Sequence, residues 1–172
     1  TQVAFSTLNL FRHVEAARDK RRQLEALPSD TPAQIAAKQA LHEEAETALA
    51  KLKAVADGLI GLELRGLGER EYPGERDLLG ERLMALWANG TLTQLQQVAR
   101  ENLGDRRPLH WPLEFPEVLE RGGFDAFVGN PPFIGGQKIT GALGTDYRDY
   151  LVNLLASGQR GSADLCAYFF LR

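Results

Sequence analysis

Phe124-Asp125-Ala126-Phe127-Val128-Gly129-Asn130-Pro131-Pro132-Phe133 is the stretch on which the reading of this chain turns. Its first five residues are mostly apolar and rich in strand formers, and they run through Gly129 into an Asn set against two prolines and an aromatic ring. Phe124 to Val128 is therefore expected as a buried strand that delivers Asn130 to the carboxyl edge of a sheet, where open α/β folds bind ligands. Each proline fixes its own φ at about −65° and pushes the preceding residue toward extended geometry, so Asn130, Pro131 and Pro132 are stiff before anything binds. Neither proline has an N–H, which leaves the carbonyls here available as acceptors. The Asn130 side-chain oxygen beside the Pro131 carbonyl makes a fixed pair of acceptors, suited to a nitrogen that offers two N–H donors, such as an exocyclic amine or a carboxamide. Phe133 adds a flat face on which a planar base or amide can stack. A plain proline turn fits the same four residues.

Moving outward, Gly135-Gly136-Gln137-Lys138 reads as a flexible loop able to move over a bound substrate, with Lys138 either meeting a substrate phosphate or simply exposed. Tyr147 to Leu155 reads as a helix and Gly158 to Gly161 as a loop. Asp164 to Leu171 starts an apolar helix that is still running at Arg172, as expected of a piece cut from a longer protein. On the other side, Leu109 to Pro116 is dense in aromatics and prolines and is expected to be extended, with its rings packed on the sheet. A short helix from Pro116 to Arg121 and a Gly122-Gly123 hinge lead into the strand. Asp125 within that strand reads as a cap or loop contact rather than a catalytic acid.

The first hundred residues have a different character. Apolar residues recur at helical spacing from Val3 to about Leu24, with Phe5, Leu8 and Phe11 widening the early face. Arg12, Arg18, Lys20, Arg21 and Arg22 are interleaved with Glu15, Asp19 and Glu25 and read as a solvated face. Asp30 or Thr31 caps the next helix, with Pro32 at its first position. Leu41, Ala45, Leu49, Leu52, Ala56 and Leu59 then form a narrow seam that predicts a helical hairpin with the first helix, or a homodimer contact. That helix continues past Gly58 and Gly61 to about Leu64; Gly66-Leu67-Gly68 and Tyr72-Pro73-Gly74 read as loop. Glu75 to Trp87 and Thr93 to Leu103 are two further helices. The expected architecture is mainly α with a small α/β part: a long helical hairpin over 1–65, a helical connector over 66–107, and part of a Rossmann-like domain over 108–172.

A single cysteine, Cys166, rules out an internal disulfide framework and a cysteine-based zinc cluster, and its apolar neighbours predict a core thiol. His13 and His42 lack the spacing of a metal site. Net charge is −3, so any nucleic acid must be held by a local patch rather than by the chain as a whole. No apolar run is long enough to span a bilayer and the N-terminus has no signal-peptide pattern, which predicts a soluble, cytoplasmic protein.

Asn130-Pro131-Pro132-Phe133, following Phe124 to Gly129, resembles the catalytic motif of amino-directed methyltransferases that use S-adenosylmethionine. His110-Trp111, Phe115-Pro116-Glu117-Val118, Gly135-Gly136, Ala163-Asp164-Leu165 and Tyr168-Phe169-Phe170 narrow it to large bacterial adenine-N6 DNA methylases, including type IIG restriction-modification enzymes and the methylases of BREX-type phage-exclusion systems. The resemblance covers about residues 108 to 172. It implies that an adenine swung out of DNA presents its amino group to the Asn130 oxygen and the Pro131 carbonyl, with Pro132 shaping the corner and Phe133 stacked on the base. Members of the family carry a glycine-rich cofactor loop and an acidic ribose contact earlier in the chain. Residues 1–107 show neither, since no apolar strand leads into Gly66-Leu67-Gly68, so the main cofactor motif is expected to be absent and the segment alone inactive.

Two other functions fit parts of the pattern. Protein glutamine-N5 methylation presents a carboxamide with two hydrogens to the same acceptors. A helical interaction or dimerisation module would use the Leu41 to Leu59 seam and need no chemistry at all.

Overall fold

The computed structural model describes residues 7–171. Its first two helices are α1 (Thr7–Ala26) and α2 (Pro32–Glu63), so the expected segment from Val3 begins outside the described residues and is helical from Thr7 on. Thr31 starts α2: its side chain accepts from the Gln34 amide at 3.3 Å, and the Gln34 carboxamide returns the bond to the Thr31 amide at 3.0 Å. This reciprocal cap, with Pro32 behind it, satisfies donors that a helix start leaves open. The two helices run antiparallel, because residues rising along α1 meet residues falling along α2. His13 Nδ1 lies 3.0 Å from the Ala48 carbonyl and Lys20 2.5 Å from Glu44. Between them Ala17, Ala45, Leu49 and Leu52 form one buried cluster, joined by Leu10, Val14 and Leu113.

Much of the predicted seam is therefore consumed inside the chain. Ala45, Leu49 and Leu52 are buried, Leu41 and Ala56 half-buried, and Leu59 exposed. Helix α1 covers the middle of that seam within the chain.

Helices α3 (Tyr72–Asn89) and α4 (Leu92–Leu103) cover the rest of α2, in a cluster of Ala54, Val55, Leu62, Leu79, Leu83, Leu95 and Val98. Each fully buried leucine here contributes about 1.5–3 kcal/mol. The α2–α4 crossing is close because position 61 is Gly: a Cβ there would sit 2.6 Å from the Asn102 Cβ and 2.9 Å from the Leu103 nitrogen. Tyr72-Pro73-Gly74, expected as loop, is instead the first turn of α3. Proline is tolerated in a first turn, where its missing N–H costs nothing, and the Tyr72 hydroxyl is fixed by Glu63.

The C-terminal third departs further from expectation. Helix α5 (Trp111–Glu114) occupies a stretch read as extended, whereas α6 (Pro116–Glu120) is the short helix expected from Pro116 to Arg121. Phe124 to Val128 is irregular and largely exposed, and no strand occurs among the described residues. The Rossmann-like part is thus not seen. A strand needs a neighbour for its N–H and C=O groups, and the described residues offer none, so this apolar run satisfies its rings rather than its backbone.

Helices α7 (Ile139–Leu143), α8 (Thr145–Tyr150) and α9 (Leu165–Tyr168) gather Ile139, Leu151, Leu165 and Tyr168 into a third buried cluster. The predicted helix Tyr147 to Leu155 is α8 running into a π-helical turn at Leu151–Leu155. The final apolar helix stops at Tyr168, leaving Phe169, Phe170 and Leu171 exposed.

Among the described residues no helix is long and apolar enough to cross a membrane, and no group of His, Cys, Asp and Glu is placed to hold a metal. Arg18, Lys20, Arg21 and Arg22, read as a solvated face, turn onto carboxylates. Arg18 and Arg22 both meet Glu120 of α6, while Arg21 meets Glu46 at 2.9 Å.

Candidate functional site

Two sets of contacts hold the Asn130 segment, one on each side. On the upstream side the rings of Trp111, Phe115, Phe124 and Phe127 pack together. The Trp111 centroid lies 5.7 Å from Phe115, 5.5 Å from Phe124 and 5.4 Å from Phe127, with the last two pairs edge to face. Phe124 also meets Phe115 at 5.3 Å and Phe127 at 5.0 Å. Pairs of this geometry contribute about 0.5–1.5 kcal/mol beyond the area they bury.

This ring group is moored to the long helix. His110 Nε2 stands 2.6 Å from the Asp57 carboxylate, and Glu114 accepts from Lys53 at 2.8 Å. Lys53 also reaches Glu46 at 2.6 Å, and Arg21 bridges to Glu114 at 3.9 Å, so α1, α2 and α5 share one half-buried charge network. Asp57, Glu46 and Lys53 lie on α2 and connect through His110, Glu114 and Trp111 to Phe127, three residues before Asn130.

The downstream side is held by backbone. The Leu165 amide donates to the Ile134 carbonyl at 2.9 Å. Arg148 of α8 donates through one guanidinium nitrogen to the Gly161 carbonyl at 2.6 Å and through the other to the Gly136 carbonyl. Gly136 is buried against the 162–163 backbone, where a Cβ would lie 2.5 Å from the Ser162 and Ala163 oxygens. The Gly135–Lys138 segment is thus a pinned turn closed by a 2.7 Å bond from the Lys138 amide to the Gly135 carbonyl, and not the free flap its glycines predict.

Asp164 caps α9 by accepting from the Cys166 amide at 3.0 Å. That backbone N–H, helped by the Cys166 thiol and the Ile134 amide, holds the Asp164 carboxyl below its ordinary value against the opposing effect of burial. Desolvation, then Asp164 itself, pushes the half-buried Cys166 thiol up, as befits a packing residue rather than a nucleophile.

Between these two holdings Asn130, Pro132 and Phe133 are exposed and Pro131 is half-buried; Phe133 presents three-quarters of its surface to solvent, at 75%. Lys138 is also exposed and flanks the start of α7. Asp125 is exposed. Arg148 and the Asp57–His110 pair escaped the sequence reading: nothing in the local pattern separates Arg148 from other helix-surface arginines, and Asp57 and His110 are 53 residues apart. The signal for Gly136 was present in its doubled glycine, and was read as freedom when it marks contact.

The residues described do not fit an S-adenosylmethionine cradle. Gly66-Leu67-Gly68 follows the C-terminus of a helix, not a strand, so it lacks the strand-to-helix turn on which such a glycine loop is built.

A family model described as Eco57I restriction-modification methylase matches residues 7–172 of the chain. No curated protein matches it, and neither does any solved structure.

Proposed function

We propose that this chain, which belongs to the Eco57I restriction-modification methylase family, supplies the amine-binding corner of a DNA methyltransferase acting on N6 of adenine. A restriction-modification methylase acts on DNA, and a target amine inside the duplex is out of reach, so the base must leave the stack. The Asn130 side-chain oxygen and the Pro131 carbonyl accept one N6 hydrogen each. Holding both hydrogens takes the nitrogen lone pair out of conjugation with the ring and turns it outward as a nucleophile. The acceptors are oriented before the base arrives, so no reorganisation is needed at the moment of reaction. Phe133 stacks on the extruded ring, Pro132 keeps the corner rigid, and Lys138 meets a neighbouring phosphate. The proton shed after methylation leaves to water.

The methyl donor of this reading is S-adenosylmethionine. Because the described residues do not fit it, the mechanism here is confined to the amine side. Residues 108–172 are then part of the catalytic domain, 1–65 a helical hairpin that braces it, and 66–107 the connector. The biological setting that follows is restriction-modification or phage defence of the type IIG or BREX kind, in the cytoplasm.

One observation carries the reading: Asn130 and Phe133 stand exposed, with Pro131 half-buried between them, on a segment fixed at both ends, by the aromatic group before it and by the Leu165–Ile134 bond after it. The test is methyl transfer by the full-length protein to DNA and to protein, with digested nucleosides resolved by mass spectrometry. N6-methyladenine formed by the wild type and lost in Asn130→Ala supports it. Methylated glutamine, or full activity in Asn130→Ala, overturns it.

A further inference from the structure

Most cations of the helical region are matched. Arg18, Lys20, Arg21, Arg22, Lys53, Arg65, Arg76 and Arg82 each lie within 4.0 Å of a carboxylate. Arg12, Lys38, Lys51 and Arg70 make no ion pair among the described residues but are scattered singly along the sequence, whereas the end of α4 gathers three such cations. Among the described residues Arg100, Arg106 and Arg107 make no ion pair, and all three are exposed. Of the two nearby carboxylates, Glu101 is already engaged by Arg82 at 2.7 Å, which also holds its carboxyl below the ordinary value, and Asp105 is exposed and makes no ion pair among the described residues.

Arg100 and Arg106 line one groove of about 250 Å³ with Gln96, Ala99, Leu103, Gly104 and Asp57. Asp57 is the single carboxylate in that lining, and it is turned onto His110 at 2.6 Å. A helix C-terminus accounts for Arg100, whose charge complements the end of α4. It accounts for neither Arg106 nor Arg107, which lie beyond it. Arg106 also points toward the catalytic side: its Nη2 lies 3.9 Å from where a Cβ on Gly144 would be, at the turn between α7 and α8. That turn belongs to the same unit as Ile134 and Gly136, the residues that fix the segment after Phe133.

We propose that Arg100, Arg106 and Arg107 form a phosphate-binding surface that holds the DNA backbone beside the amine-binding corner. The inference rests on the methyltransferase reading above and adds where the duplex is gripped. With a net charge of −3, this chain repels a polyanion at long range, so Arg100 and Arg106 at one groove, with Arg107 next to Arg106 in sequence, are what can hold one locally. Guanidinium groups fork onto phosphate oxygens, and Gln96 adds an uncharged donor at the same rim.

The experiment uses the full-length protein and a fluorescein-labelled duplex of mixed sequence, with affinity read by anisotropy across a salt series. Each arginine that neutralises a phosphate contributes about one unit to the slope of log affinity against log salt. Arg106→Ala is expected to flatten the slope by about one unit, the triple alanine variant by about three, and Arg106→Lys to restore most of it. All three side chains are exposed, so melting curves should coincide with wild type. An unchanged slope in the triple variant overturns the proposal. So does an acidic peptide, polyglutamate, that binds with the same dependence on these arginines while DNA binding is indifferent to them, since the surface then serves a protein partner. Asn130→Ala separates the two readings: it removes no phosphate contact, so the salt slope should stay while methylation is lost. A wild type that binds DNA through these arginines yet methylates none would sink the methyltransferase reading and leave this surface standing.

Discussion

The Leu165 amide is bonded to the Ile134 carbonyl at 2.9 Å, which makes the start of α9 a splint for the residue that follows Phe133. Thirty residues of sequence separate the two, yet the bond is backbone to backbone, so no side-chain substitution removes it directly. Its geometry depends on how closely the 134–136 and 162–165 segments approach, and that approach is set at Gly136.

Gly136→Ala should break the splint. A Cβ at this position would overlap the Ser162 carbonyl carbon and lie 2.5 Å from two backbone oxygens, none of which can rotate away as a side-chain tip can. Overpacking of this kind costs about 1–3 kcal/mol. Hydrogen exchange at the Leu165 amide should quicken and methyl transfer should fall, while the α1–α2 hairpin keeps its protection. Wild-type exchange at Leu165 would show that the two segments are not held together through this contact.

Two helix glycines should respond in opposite directions. Gly61→Ala forces a Cβ to 2.6 Å from the Asn102 Cβ and 2.8 Å from its carbonyl carbon, so α4 must back away from α2. Gly58→Ala meets only Leu83 methyls at 3.5 Å, ordinary contact, and replaces a residue that costs about 0.5–1 kcal/mol in a helix interior. Thermal unfolding should therefore show Gly58→Ala above wild type and Gly61→Ala below it. Both variants above wild type would mean that helix propensity, not the α2–α4 crossing, decides the outcome, and both below would mean that Leu83 leaves no room at position 58.

The contrast between those glycines also explains what was legible in advance. Periodicity is a local signal, and it gave α1, α2, the body of α3 and α4, with the ends of α2 and α4 within one residue and α3 short by two or three at each end, because Leu41, Ala45, Leu49 and Leu52 carry the helical repeat in themselves. Strand formation at Phe124 to Val128 is a relation between segments. Composition alone chose the strand, whereas the fold gave those rings to Trp111 and Phe115, a pairing that no spacing rule contains. The stiffness of Asn130-Pro131-Pro132 was readable from proline chemistry. Its mooring through Asp57, His110 and Arg148 was not, since each of these is an ordinary polar residue until the chain folds.

Acid should loosen α9 in a way that one substitution removes. The Asp164 carboxyl is held below its ordinary value by the Cys166 amide first, with the Cys166 thiol and the Ile134 amide adding to it. A carboxyl depressed in the folded state contributes stability above its unfolded value of about 3.9, and that contribution is lost as pH falls through the lower folded value. Exchange at the Cys166 and Leu165 amides, corrected for intrinsic rates, should accelerate across that acid window in the wild type. Asp164→Asn still caps a helix but does not titrate, so its profile should be flat there. A matching acid limb in Asp164→Asn would assign the effect to another carboxylate.

The mooring of the ring group at Asp57 should be measurable as coupling between two distant residues. His110 Nε2 and the Asp57 carboxylate are 2.6 Å apart with both side chains largely shielded, so the bond is worth about 0.5–1.5 kcal/mol. Asp57→Asn, His110→Ala and their double variant form a cycle in which the second substitution should cost less than the first. Trp111 adjoins His110 and centres the ring group, so its fluorotryptophan NMR signal should broaden in either single variant. The signal of Trp87, packed edge to face on His13 at 5.3 Å on the hairpin, should not. Loss of the mooring should lower kcat for methyl transfer. Additive costs with an unmoved Trp111 signal would show that α5 is carried by Glu114 and Lys53 alone.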